Sequence, residues 1–266
     1  MRLRLAILAA VILIVPACGG GSDTTIINQV GPASGTILAI TDNNILINVS
    51  TTAPSTVISA VALGGLQPGE SILAIDYRPA DGHLYGLGST SRLYQIFPVS
   101  GACLQIGAAG AFTLSGTAFG FDFNPTVDRI RVVSDTGQNL RLNPDTGAIA
   151  GTDTPLNGGA TAAVAVAYSN NVAGAATTTL YDIDSGTDSL YIQNPPNTGT
   201  LTLVGALGVD TFNSVGFDIS ASGTAYASLS VAGFPELYTI NLTTGAATLV
   251  GPLGLGALIR GMTIVP

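Results

Sequence analysis

A unit of about 45 residues recurs along most of this chain, and such a period restricts it to a small set of repeat architectures. AIDYRPADGHLYGLG followed by RLYQIFPVSGACLQIG runs from Ala74 to Gly107. GFDFNPTVDRIRVVS with NLRLNPDTGAIAG follows from Gly120 to Gly151. A third segment opens with AVAYSNN at Ala165 and ends with LYDIDSGTDSLYIQNPPNTGTLTLVG at Gly205. The fourth, GFDISASGTAYASLS with LYTINLTTGAATLVG, spans Gly216 to Gly251. Asp76, Asp122, Ala167 and Asp218 are equivalent, at spacings of 46, 45 and 51.

Each unit holds four short apolar or alternating runs rich in Val, Ile, Leu, Tyr and Thr. The last two runs are separated by turns such as NPDTG, NTG and TTG, whose glycines supply positive φ. No stretch beyond residue 17 sustains a 3.6-residue apolar period. Four strands per unit of this length is the pattern of a β-propeller blade. The ends complete the count. Thr36–Thr41, Asn44–Ser50 and Thr56–Val61 read as the second, third and fourth strands of a unit lacking its first. Arg260–Val265 reads as an opening strand with Thr263 at the Asp218 position. Pairing the two ends gives an all-β, five-bladed propeller, closed so that no sheet edge is left at the seam. An open solenoid or two sandwiches explain neither the missing strand nor the spare one.

The first 17 residues read as an address. Arg2 and Arg4 precede an 11-residue apolar run, Leu5–Val15, too short to span a bilayer, which takes ~20 residues. Val15-Pro16-Ala17-Cys18 resembles the lipobox of bacterial lipoproteins. That resemblance implies cleavage before Cys18, acylation of Cys18, and anchoring by several chains at once. Gly19 rather than Asp after the cysteine resembles the pattern of Gram-negative lipoproteins sent to the outer membrane. The expected organisation is a lipoprotein signal peptide (1–17), a Gly/Ser/Thr-rich tether (18–35) and one propeller domain (36–266).

Without Arg2 and Arg4 the chain keeps 6 Arg and no Lys against 16 Asp and Glu, a net charge of −10. That balance excludes nucleic acid as a partner. With Cys18 acylated, Cys103 has no partner for an intrachain disulfide, and its apolar neighbours mark it as a buried thiol.

The phrase GFDFNPTVDRIRVVSDTGQNLRLNPDTG (Gly120–Gly147) closely resembles the hallmark of a bacterial family known as domain of unknown function 4394. LQPGESILAIDYRPADGHLYGLG and the closing LYTINLTTGAATLVG fit it too. The resemblance runs from about Gly35 to the C-terminus. It implies a secreted or envelope propeller and no particular activity. A lipobox departs from many relatives, which look simply secreted.

Catalytic motifs are sparse. The one histidine, His83, follows Asp81-Gly82 and reads as a turn residue, so no Ser–His–Asp triad can be assembled around it with a recognisable nucleophile. One histidine and one free cysteine do not make a zinc site. Asp182, Asp184 and Asp188 have alternating carboxylates that a Ca2+ ion would suit, but the glycine comes early and no distal Glu follows; a strand ending in a turn fits equally. Asp76, Asp122 and Asp218 should face the propeller axis, where paired carboxylates can do acid–base work. Their repeat equivalence argues instead for a structural task.

Arg129 and Arg131 share one strand face, and Arg141 lies on the next strand. With Asp122, Asp128 and Asp135 nearby, they form either an ion-pair network between blades or, with Asn124 and Asn143, an anion site. The reading is an exported, lipid-anchored, monomeric binding or scaffold propeller. It uses no cofactor, touches the membrane through its lipid alone, and binds an unidentified envelope or extracellular ligand. The alternative is a hydrolase or lyase using the channel carboxylates.

Overall fold

The computed structural model describes residues 31–159, 162–213, 215–254 and 256–266. The expected signal peptide (1–17), Cys18 and the expected tether up to residue 30 lie outside the described residues.

Three strands open the domain: β1 (Thr36–Thr41), β2 (Ile45–Ser50) and β3 (Val57–Ala62). The second blade is β4 (Ile72–Tyr77), β5 (Leu84–Gly88), β6 (Arg92–Phe97) and β7 (Ala102–Ile106). The third is β8 (Phe119–Asn124), β9 (Arg129–Ser134), β10 (Asn139–Leu142) and β11 (Ile149–Thr152). The fourth is β12 (Ala163–Tyr168), β13 (Leu180–Asp184), β14 (Ser189–Gln193) and β15 (Leu201–Ala206). The fifth is β16 (Gly216–Ile219), β17 (Ala225–Val231), β18 (Phe234–Ile240) and β19 (Ala247–Pro252). The last strand, β20 (Ile259–Ile264), returns to the first blade in the order β20-β1-β2-β3.

The molecule is therefore an all-β propeller of five four-stranded antiparallel sheets, and the first sheet joins the two ends of the chain. At the seam Ile37 pairs with Ile264, Leu38 with Thr263 and Ala39 with Met262. The innermost strands β4, β8, β12, β16 and β20 pack against one another in a closed ring.

The core is divided into five wedges, one at each blade interface. Leu38, Ile40 and Leu46 meet Ile75, Leu84 and Ile96 between blades one and two. Tyr85 and Leu87 meet Phe121, Phe123 and Val132 in the next wedge, where Tyr85 and Phe123 stand edge to face at 5.0 Å. Each strand face thus buries its apolar residues against the neighbouring blade rather than in one central cluster.

Near the axis the strands come too close for side chains. A Cβ on Gly120 would lie 2.7 Å from the Val166 nitrogen, and one on Gly216 would lie 2.6 Å from the Met262 nitrogen. Glycine is needed there for close backbone approach.

Candidate functional site: the propeller axis and its mouth

The sequence repeat places Asp76, Asp122, Ala167, Asp218 and Thr263 at one level of the five inner strands. Each polar member reaches forward to the next blade. Asp76 Oδ2 accepts the Phe123 N–H at 2.9 Å, Asp122 Oδ1 accepts that of Tyr168 at 3.1 Å, and Asp218 Oδ2 accepts that of Ile264 at 2.6 Å. Thr263 donates its hydroxyl to Asp76 at 2.9 Å and shares it with Asp218 at 3.0 Å. Asp76 and Asp218 also take the N–H groups of Tyr77 and Ile219. The inner edge of each inner strand has no further strand to bond, and these side chains supply the missing acceptors.

One oxygen from each of the three carboxyls lies within 4.8 Å of the others, and each residue is only 1% exposed. Burial raises all three above the ordinary carboxylate range. Asp76 is pushed further by the neighbouring charge of Asp218, and Asp122 by Asp76 and then Asp218. Asp218 rises to about 6, held there by its bonds from Ile264, Thr263 and Ile219. Like charges at this separation do not all ionise together, so the ring holds protons above the pH at which ordinary carboxyls release them. Among the described residues this is the carboxylate group whose spacing would suit a cation such as Ca2+.

Access to the ring is narrow. Two residues up each inner strand stand Ala74, Gly120, Ala165, Gly216 and Gly261. The space at that level, bounded also by Phe121, Phe217 and Met262, is about 10 Å³, the scale of a single water. On the other side of the ring, Tyr77, Phe123, Tyr168 and Ile219 are buried. Above the constriction the mouth widens to a cavity of about 540 Å³ lined by Asp42, Leu73, Ser89, Ser91, Leu114, Phe119, Asn213, Leu258 and Arg260, among others.

The arginine cluster divides. Arg131, 1% exposed, donates to Asp153 at 2.6 Å, Asn139 at 2.7 Å and Asn197 at 2.8 Å. Arg141 approaches the same carboxylate with both Nε and Nη2. Asp153, whose side chain is fully buried, is the shared counter-ion. The nearby acids serve elsewhere: Asp128 pairs with Arg78 of the preceding blade, and Asp135 accepts the Thr117 N–H and hydroxyl. Asp122 lies opposite Arg131 in the ladder without bonding it. Arg129 bonds the carbonyl of Asp128. Asn124 and Asn143 cap their own turns through Thr126 and Asp145. Because Asn197 belongs to the fourth blade, the Arg131 network spans blades three and four.

The acidic loop does not converge on a common point. Asp184 accepts the N–H groups of Ala162, Gly186 and Thr187, and Asp188 takes that of Thr211. Asp182 is fully buried, and neither of its oxygens has a hydrogen-bond partner among the described residues. His83 is exposed, 3.6 Å from Asp81. Cys103 is a free thiol raised to about 11, first by burial and then by the charge of Glu70.

Three residues carry more than their sequence context indicates. Asp153 follows β11 in a Thr-Asp-Thr stretch with no motif. Asp182 and Arg260 are charged residues at positions that are apolar or glycine in the other repeats, a signal available in the repeat alignment.

The comparisons agree with this architecture. A structural genomics protein of unknown function from Bacteroides thetaiotaomicron superposes with a TM-score of 0.59 at 17% identity, over 88% of this chain and 62% of that one. This chain thus spans less than two thirds of that protein's length. A chain of the nidogen/laminin complex superposes with a TM-score of 0.54 at 11% identity, over 87% of this chain and 98% of its own. Identities this low speak to fold alone. No curated protein sequence matches. The model of the family described as domain of unknown function (DUF4394) matches residues 45–263. By that match, which takes in four complete blades and three of the four strands of the closing one, the chain belongs to the DUF4394 family.

Proposed function

We propose that this protein is a non-catalytic binding or scaffold propeller, exported and held at the bacterial envelope, at the outer membrane, through acylated Cys18. The observation that carries the non-catalytic reading is the state of the axial carboxyls. They are committed to backbone N–H groups of neighbouring blades and lie behind a passage about 10 Å³ in volume. A general acid or nucleophile must touch its substrate, and a saccharide or ester unit does not fit through such a space. The wide mouth above it, by contrast, has the size of an ordinary small-ligand pocket, about 300–1,000 Å³. The anchor reading rests on the lipobox-like Val15-Pro16-Ala17-Cys18.

A hydrolase or lyase remains the second reading, favoured by the clustering and the raised proton affinity of Asp76, Asp122 and Asp218. Two assays separate the readings. Radiolabelled palmitate should enter the wild-type protein, and Cys18→Ala should stop labelling and leave uncleaved precursor. A panel of polysaccharides and esters should show no turnover; turnover lost in Asp122→Asn would establish the enzyme instead. Wild-type protein released in soluble form, starting at a residue other than Cys18, would remove the anchor.

A further inference from the structure

Three residues before the axial level, the inner strands carry Leu73, Phe119, Val164, Val215 and Arg260. Phe119, Val164 and Val215 are buried, and Leu73 is half-buried. A guanidinium at the fifth position breaks an otherwise apolar ring. Moving a charge toward such a position is unfavourable unless something compensates it. Among the described residues, Arg260 makes no ion pair and no side-chain hydrogen bond. The backbone is bulged at this level in three of the five blades. The β1–β20 register shifts between Ile40, which pairs with Gly261, and Thr41, which pairs with Ile259, so Arg260 is the unpaired residue of a bulge, as are Leu73 in β4 and Val164 in β12. Bulges re-aim side chains, and this one sets Arg260 in the wall of the mouth cavity.

The rest of that wall offers donors. The Ser89 hydroxyl oxygen accepts the Ser71 N–H, and that of Ser91 accepts the Leu114 N–H, so both O–H hydrogens remain available. The Asn213 carbonyl accepts from Ser185, leaving its amide nitrogen available. Half-buried Leu73, Leu114 and Leu258 supply an apolar surface beside these groups. Asp42 is the acidic member of the lining; it is exposed and not paired with Arg260. It disfavours a polyanion, so one negative charge is the number the cavity suits.

We propose that the mouth cavity binds a monocarboxylate with a short apolar body, the carboxylate on Arg260 and the body against Leu73, Leu114 and Leu258. This rests on the binding-propeller reading and names the ligand class for its mouth. A planar guanidinium suits a carboxylate through paired N–H donors.

The test is calorimetric titration of the purified protein with hexanoate, hexanamide and hexylammonium. Hexanoate should bind, and the other two should bind at least tenfold more weakly. Arg260→Gln should weaken hexanoate at least tenfold while leaving the melting temperature near wild type, and Arg260→Lys should restore part of the affinity. No hexanoate binding to wild type, equal binding to Arg260→Gln, or a preference for hexylammonium would each overturn the assignment. Failure here with no turnover on the substrate panel leaves the non-catalytic reading standing. Turnover on that panel, with hexanoate still bound through Arg260, overturns that reading and not this one.

Discussion

Replacing Asp182 by Val should stabilise this protein, although it removes a charged residue close to a buried arginine. Asp182 lies on β13 opposite Val166 and Tyr191. The equivalent positions of the other blades, opposite Met262, Ile75, Phe121 and Phe217, hold Ala39, Gly86, Val132 and Ala227. Burial pushes the Asp182 carboxyl well above its ordinary range, with attraction from Arg131 opposing and repulsion from Asp184 adding. A buried polar group without a partner costs about 1–3 kcal/mol. Burying the valine side chain adds ~1.5 kcal/mol or more. Against this stands the lost attraction to Arg131, which is small because Asp153 already neutralises that guanidinium. The net gain is about 2 kcal/mol, or ~4–8 °C in a domain of this size. Thermal melting followed by circular dichroism reads it. The pH dependence supplies a second check. The folded protein holds the Asp182 proton above the pH at which the unfolded chain releases it. Wild type is therefore favoured most at acid pH and loses this contribution as pH rises towards the folded pKa, so the advantage of Asp182→Val should widen from about pH 4 upward. A variant less stable than wild type, or an advantage that shrinks with rising pH, would refute the reasoning.

Other perturbations follow from the same contacts. Arg131→Gln leaves buried Asp153 with Arg141 alone and should lower stability by ~3 kcal/mol, measured by urea unfolding. A near-neutral result would make the network dispensable. Deleting residues 259–266 removes β20 and exposes the inner edge of β1, so the cooperative melt should weaken or vanish. An unchanged melting temperature would contradict closure at this seam. Gly216→Ala would drive a Cβ to 2.6 Å from the Met262 nitrogen, and should cost ~2 kcal/mol or more in the same urea assay.

Much of the fold was legible because a repeat states its architecture several times over. The turn glycines Gly101, Gly147 and Gly245 keep the beat, and each has positive φ in the structure. Thr263 occupies the Asp218 position of a displaced strand, which announced the ring closure. The repeat equivalence of Asp76, Asp122 and Asp218 indicated a structural task before their N–H partners were known. Partners across blade interfaces were not legible. Arg131 and Arg141 stand opposite each other on β9 and β10, yet their counter-ion, Asp153, comes from the segment after β11. Asp128 is near in sequence but turns to Arg78, 50 residues away. Strand alternation tells which side chains share a face and not which loop of the next blade meets them. Arg260 lies within the closing strand, but its meaning depends on the apolar residues at the other four equivalents and on the cavity they line.

The axial carboxyls either pin the blades or bind and transform something. The most direct measurement is melting of the purified protein from about pH 8 to about pH 5, with chelator or with millimolar Ca2+ or Mn2+. Asp76, Asp122 and Asp218 have raised pKa values, so the folded state binds more protons than the unfolded chain in this window, and stability should rise as pH falls. Asp128, held low by Arg78, loses its contribution only below about pH 4. So does Glu70, where burial opposes the charge but bonds from Thr90, Tyr94 and Gln67 outweigh it. The predicted result is a melting temperature that climbs toward pH 5 and is the same with cation or chelator. A cation-dependent rise that disappears in Asp122→Asn would contradict it and make the axis a metal centre.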